Sequence, residues 1–285
     1  MDWLKRLFKP SPPKKPRRLG LALGGGGARG LAHIGVIKVL EQAGLRVDMA
    51  AGASIGGVVA AAYAAGKTPA EMEALAYQYA DRRTLLGLLD PAPFNPSFLQ
   101  GKRIRDVLSG FIGHGLTFAD TRFPIALTAT DLPRGAPVVV RDGPLIDAVM
   151  ATSALPGLWP PVCIHGCQLA DGGLTDNIPV NVLRRMGADV VVAVRVAPCF
   201  PRQDATILDV PLLPDFGDRF YHSILILSDA LTSYQLEKYP PDVLITPQIP
   251  DCVWLLGFDQ PEAAIRAGEE AAREALPAIR AALGN

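Results

Sequence analysis

The 285-residue sequence predicts an α/β fold, a three-layer α/β/α sandwich whose central sheet is mainly parallel. Three observations carry this. From Leu19 onward, short apolar runs of β-like composition alternate with helical patterns. Two glycine-rich turns each stand between such a run and a helix. Hydrophobic residues make up 49% of the chain and charged residues 20%, which supplies a large core and excludes a disordered chain. One domain over residues 19–285 accommodates the pattern, preceded by a tail over residues 1–18.

Taken in order, Leu19–Leu23 reads as the first strand, Gly24 to Gly27 as a turn, and residues 29–43 as a helix stopped by Gly44. Residues 47–51 follow as a strand and residues 55–65 as a helix ended by Gly66. Later strands are expected at residues 123–130, 137–140, 167–170, 189–196 and 243–246. Residues 81–122, with Pro91, Pro93 and Pro96, are less regular and are expected to cover a cleft. After Pro261 a last helix repeats Ile265, Ala272, Leu276, Ile279 and Leu283 along one stripe, with Pro277 expected to bend it.

The chain has 28 Lys+Arg against 28 Asp+Glu, a balance that argues against a dedicated nucleic-acid binder. The balance is uneven. Seven basic residues against Asp2 give residues 1–18 a charge of +6, which leaves −6 for the rest. In the tail, Trp3, Leu4, Leu7 and Phe8 fall on one side of a short helix, with Lys5 and Arg6 opposite, and a proline-rich spacer follows. Such a tail could rest on an anionic membrane leaflet or remain a solvated extension. Two uncharged windows, 49–66 and 148–170, approach membrane-spanning length. The glycines of the first and Pro156, Pro160 and Pro161 of the second fit buried segments of a globular core instead. Cys163, Cys167, Cys199 and Cys252 form no Cys-x-x-Cys pair and read as reduced core thiols of a cytoplasmic protein.

The strongest local signal is Gly52-Ala-Ser54-Ile-Gly56 between a strand and a helix. A sharp turn there lifts a serine hydroxyl out of the sheet edge, and the small neighbours permit the tight backbone. The competing reading is a glycine-rich turn with Ser54 as a helix N-cap. The second signal is Gly24-Gly-Gly-Gly-Ala-Arg-Gly30, also between strand and helix. Gly25, Gly27 and Gly30 match a dinucleotide fingerprint, but the following strand ends in the serine turn rather than in an acidic residue. A run of bare N–H groups serves equally as an oxyanion hole for acyl transfer. Arg29, a cation in the first turn of the helix, implies either an anionic group nearby or a solvated side chain.

A serine nucleophile needs a base. None of His33, His114, His165 and His222 occupies the late loop that a Ser-His-acid enzyme of the α/β-hydrolase order requires. Asp171, in Leu169-Ala-Asp-Gly172-Gly173, ends an apolar run abruptly and could take a proton directly if burial raises its pKa, although an Asp-Gly-Gly turn is also an ordinary turn. Cys163, His165 and Cys167 crowd too closely for zinc geometry, and neither metal nor cofactor is expected.

These three elements, in this order, resemble the patatin-like phospholipase family. By that resemblance the loop of Gly25, Gly26, Gly27, Arg29 and Gly30 is the oxyanion hole, Gly52-Ala-Ser54-Ile-Gly56 the nucleophile elbow, and Asp171-Gly172-Gly173 the Asp-Gly-Ala/Gly motif. The similarity extends through Ala126 to Asp131, Ala151 to Gly157, Pro160 to Val162 and Asn177 to Val180, as in short bacterial members similar to the catalytic domain of neuropathy target esterase. It implies a serine acyl hydrolase with Ser54 as nucleophile and Asp171 as base, acting on lipid esters without histidine. A protein that keeps the fold but serves by binding lipids or proteins is the alternative. No nucleic-acid partner is implied, the oligomeric state is left open, and the expected location is cytoplasmic, with possible peripheral contact to the inner membrane face.

Overall fold

The computed structural model describes residues 16–81, 87, 90, 99–196, 215–250 and 258–284. Its centre is a sheet of eight strands: β1 (Leu19–Leu23), β2 (Met49–Gly52), β3 (Ile125–Asp131), β4 (Ala136–Val140), β5 (Val162–Ile164), β6 (Cys167–Asp171), β7 (Val190–Val194) and β8 (Val243–Ile245). The order is β5-β6-β3-β2-β1-β7-β8, with β4 also paired to β3. Strands β3, β2, β1, β7 and β8 are mutually parallel, while β4, β5 and β6 run antiparallel to their neighbours. β1 and β7 are buried along their whole length, as strands covered on both faces must be.

Among the described residues, eight α-helices connect and cover the strands: α1 (Ala32–Gln42), α2 (Ile55–Ala64), α3 (Pro69–Gln78), α4 (Lys102–Ile112), α5 (Leu145–Thr152), α6 (Val180–Met186), α7 (Asp215–Lys238) and α8 (Pro261–Leu283). Alternation along the strands sends side chains to two separate cores. Leu21, Leu23, Val192 and Val194 pack with α1, α2 and α8 on one face. Ala22, Ala51, Val191 and Ala193 pack with Val182 and Leu183 of α6 and Leu236 of α7 on the other. The outcome is the expected three-layer arrangement. Residues 49–64 of the first uncharged window are buried but for Ser54 and Ile55, while the second alternates buried stretches with exposed positions such as Pro161 and Cys163. No helix of the described residues is long and apolar enough to cross a membrane.

Some expectations needed correction. β2 starts at Met49 rather than at residue 47, because the Asp48 carboxylate accepts the Leu19 N–H at 2.8 Å ahead of the ladder. The helix after the glycine loop opens with a 3-10 turn over Gly27–Leu31. Residues 81–122 contain the regular helix α4, whose Phe111 and Ile112 are buried. Cys163 is exposed on β5 and Cys167 half-buried, so neither is a fully buried core thiol; Cys199 and Cys252 lie outside the described residues, as do residues 1–15 of the tail.

α1 and α8 meet backbone to backbone through small residues. A Cβ on Gly35 would stand 2.0 Å from Ile265 O, and one on Gly268 would stand 2.0 Å from Ala32 O. No side-chain rotation relieves either clash, so Gly268→Ala is expected to cost about 3 kcal/mol by forcing the helices apart. Urea unfolding checks this as a lower midpoint at unchanged slope.

Candidate functional site

The carboxyl ends of β1 and β2 adjoin in the centre of the sheet, and each carries one of the two glycine-rich turns. Gly52, the last residue of β2, pairs Leu127 of β3. β6 runs the opposite way against β3, so its last residue Asp171, opposite Ala129, arrives at the same level. Reversal of this one strand therefore delivers a residue far away in sequence to the serine turn.

Ser54 follows with φ 51° and ψ −130° as the first residue of the turn into α2. Among the described residues only Ser54 and His165 are non-glycine positions with left-handed φ, a conformation that costs on the order of 1–3 kcal/mol and persists only where surroundings impose it. They do so here. Ser54 N–H donates to Thr152 O and to Thr152 Oγ1 at 2.9 Å, and Thr152 Oγ1 in turn donates to Thr128 O. The flanking glycines are required by close approach: a Cβ on Gly52 would lie 2.5 Å from Gly56 O, and one on Gly56 would lie 2.2 Å from Leu23 O. Ser54 Oγ makes no cap hydrogen bond to α2; it donates to Asp171 Oδ2 at 2.7 Å. Ser54 thus occupies the N-cap position of α2 without capping it through its side chain.

Asp171 is buried, and its other oxygen accepts the Gly173 N–H at 2.8 Å. Burial pushes its carboxyl up to about 6, although hydrogen bonds from Ser54 and Gly173 oppose that rise by favouring the carboxylate. Gly172 is needed because a Cβ there would meet Thr128 O at 2.2 Å. A carboxylate with a pKa near neutrality, 2.7 Å from a serine hydroxyl, is chemically able to take that hydroxyl's proton.

Gly25, Gly26, Gly27 and Arg29 line the same cavity as Ser54 and Asp171. The Gly25 N–H donates to Asn177 Oδ1 at 2.9 Å, as the Gly24 N–H does to Val194 O. Arg29 is buried rather than solvated. Its guanidinium donates to the carbonyls of Ile249 and Pro250, at 3.0 and 3.2 Å. Gly30 lies under the serine turn, where a Cβ would be 2.1 Å from Ile55 Cγ2.

No histidine lines the cavity among the described residues. His33 is fully buried behind the loop, its Nε2–H donating to Gly24 O at 2.7 Å, and burial pushes its pKa down to about 4. It is neutral at physiological pH and holds the loop. His165 pairs with Asp142 on the surface, and His114 bonds Ser109.

The cavity walls include Ile104 and Leu108 of α4, within the stretch 81–122 expected to cover a cleft, and add residues with no local signal: Met150 from α5, Leu155 and Trp159, and on the other side Arg195 and the α7 residues Ile224, Leu225, Ser228, Asp229 and Thr232. Ile104 and Leu108 stand one helical turn apart, a spacing that could have been read. The Asn177 contact crosses 152 residues and had no local signal.

The family model described as patatin-like phospholipase matches residues 21–184. An NTE family protein of Mycobacterium tuberculosis is 37% identical over 179 residues, which is 62% of this chain and 48% of that one. Lysophospholipase nte1 of Aspergillus fumigatus is 37% identical over 185 residues, 63% of this chain and 12% of that one. Patatin-like phospholipase domain-containing protein 6 of Mus musculus is 35% identical over 185 residues, 62% of this chain and 13% of that one. The chain thus spans about half the length of the mycobacterial relative and a small part of the others. Among solved structures, VipD from Legionella pneumophila matches at a TM-score of 0.45 and 13% identity, covering 89% of this chain and 67% of that one.

Proposed function

Because the chain belongs to the patatin-like phospholipase family, we propose that it is a serine acyl hydrolase cleaving fatty-acyl esters of (lyso)phospholipids or related lipids. The observation that carries this is the 2.7 Å hydrogen bond from Ser54 Oγ to buried Asp171, at the floor of a largely apolar cavity. The name lysophospholipase carried by a fungal relative supports a single-chain phospholipid among the substrates.

Ser54 Oγ attacks the acyl carbonyl while Asp171 takes its proton. The amides of Gly26 and Gly27 hold the oxyanion; donors of this kind are worth ~2.7–4 kcal/mol each. Gly25, whose N–H is engaged by Asn177, shapes the loop, and Arg29 anchors it to residues 249 and 250. Collapse expels the alcohol, which takes the proton from Asp171 and leaves an acyl-Ser54 ester. Water, deprotonated by Asp171, then releases the fatty acid and restores Ser54. Purified protein is expected to release fatty acid from a lysophospholipid, and Ser54→Ala is not; equal release by both would return the protein to the lipid-binding alternative.

Residues 1–18 bring this chemistry to its substrate by resting on an anionic leaflet, each basic residue near such a surface adding about 1 kcal/mol. Vesicles containing phosphatidylglycerol are expected to co-sediment the full chain and to lose it when residues 1–18 are deleted. Unchanged binding refutes the anchor.

A further inference from the structure

The cavity around Ser54 is mostly apolar. Toward α4 and α5 its wall is Ile104, Leu108, Met150, Leu155 and Trp159, a surface suited to an acyl chain. Arg195, Ser228, Asp229 and Thr232 bring polar groups to the α7 wall, among the apolar Ile224 and Leu225.

Arg195 immediately follows β7, whose five residues are all buried valine and alanine, and its own N–H still donates to Ile245 O of β8. β7 lies beside β1 on the side away from β2. The order of strands therefore reverses between β1 and β7, the position at which parallel α/β sheets open a crevice beyond their carboxyl ends. Strands stand about 4.8 Å apart, so the Arg195 backbone lies roughly two strand spacings from Ser54, with the glycine loop between. Val196, next to Arg195, packs against that loop: a Cβ on Gly26 would meet Val196 Cγ2 at 2.6 Å. An ester seated on the Gly26 and Gly27 amides with its chain toward α4 directs its alcohol toward Arg195.

The guanidinium is held, not loose. Nη2 donates to Asp229 Oδ1 at 2.6 Å and to Ser233 Oγ at 3.0 Å, both on α7. Nε is buried and has no partner among the described residues. Asp229 and Ser233 hold the guanidinium through Nη2, and the Nη1 N–H groups of this cavity-lining side chain are left to meet a phosphate oxygen.

We propose that Arg195 is the headgroup residue of this site, donating to the phosphate of a lysophospholipid while its acyl chain lies against α4 and α5, with Asp229 and Ser233 as positioning residues. The assignment rests on the acyl-hydrolase reading. A purely structural ion pair joining β7 to α7 would affect every ester alike, which separates the two roles.

The test compares two esters with the same acyl chain, 1-palmitoyl lysophosphatidylethanolamine and monopalmitoylglycerol, hydrolysed by wild type, Arg195→Gln and Arg195→Lys. In Arg195→Gln the ratio of kcat/KM for the phosphate ester to that for the neutral ester is expected to fall about 10- to 100-fold, mainly through KM, as loss of one charge-assisted hydrogen bond implies. Arg195→Lys is expected to recover part of the ratio. A ratio unchanged in Arg195→Gln, whether both rates fall together or neither falls, overturns the assignment and leaves the hydrolase reading standing. Hydrolysis of neither ester by wild type overturns the hydrolase reading and this assignment with it.

Discussion

Ser54→Ala is expected to lower acyl-ester turnover by on the order of 10⁴- to 10⁶-fold, the scale seen when a serine nucleophile is removed from a hydrolase. What remains is the binding and oxyanion contribution of the glycine loop. The substitution removes one hydroxyl at a position whose backbone is fixed by Thr152, so the fold is retained and the loss is chemical. A fluorophosphonate probe should label wild type at Ser54 and fail to label the variant. The companion variant Ser54→Gly separates chemistry from strain. At φ 51° and ψ −130° glycine is at ease where serine and alanine are not. Ser54→Gly is therefore expected to be as inactive as Ser54→Ala yet more stable than it by about 1–2 kcal/mol in urea unfolding. If Ser54→Ala retains turnover within tenfold of wild type, the mechanism is wrong.

The parts of the site that could be read from sequence are those where local geometry dictates residue type. Gly52, Gly56, Gly30 and Gly172 each occupy a point where a Cβ would press within 2.5 Å of a neighbouring atom. Such constraints leave fixed spacings, and the spacings carried the reading. Strand and helix alternation gave the layers for the same reason, since burial on both faces shows in composition. Partner choice is different. Nothing local distinguishes Cys167–Asp171 as an antiparallel strand from a parallel one, although that reversal is what delivers Asp171 to Ser54. The α7 wall of the cavity depends on Arg195 meeting Asp229 across 34 residues and several elements. α3, by contrast, carries a local signal: Thr68 and Glu71 form a reciprocal capping box with Pro69 at the first helical position. The burial of His33 and its bond to Gly24 O could not be read, yet they explain why a histidine next to the glycine loop is not a base.

Asp171 should make activity and stability change in opposite directions across pH 6. As the base it must be ionised, so kcat/KM for the free enzyme is expected to fall tenfold per pH unit below about 6, the value to which burial raises its carboxyl. For stability the sign is reversed. The folded pKa of about 6 lies above the ordinary 3.8, so the folded state binds the proton more tightly than the unfolded chain. Its contribution is fully present below 3.8 and is lost as pH rises through 6, a decline of up to about 3 kcal/mol from two pKa units. Asp176, also raised to about 6 chiefly by burial, adds to the same decline. Asp171→Asn keeps the shape, can still accept the Gly173 N–H, and cannot ionise. It is expected to be inactive at every pH, yet more stable than wild type at pH 8 and not at pH 4. Asp176→Asn serves as the control, because it should remove part of the stability decline while leaving the activity midpoint near 6. Rate profiles from pH 4.5 to 9, with urea unfolding at pH 4 and pH 8, decide the matter. Activity that is flat through pH 6, or Asp171→Asn unfolding more easily than wild type at pH 8, would show that Asp171 is not the buried base.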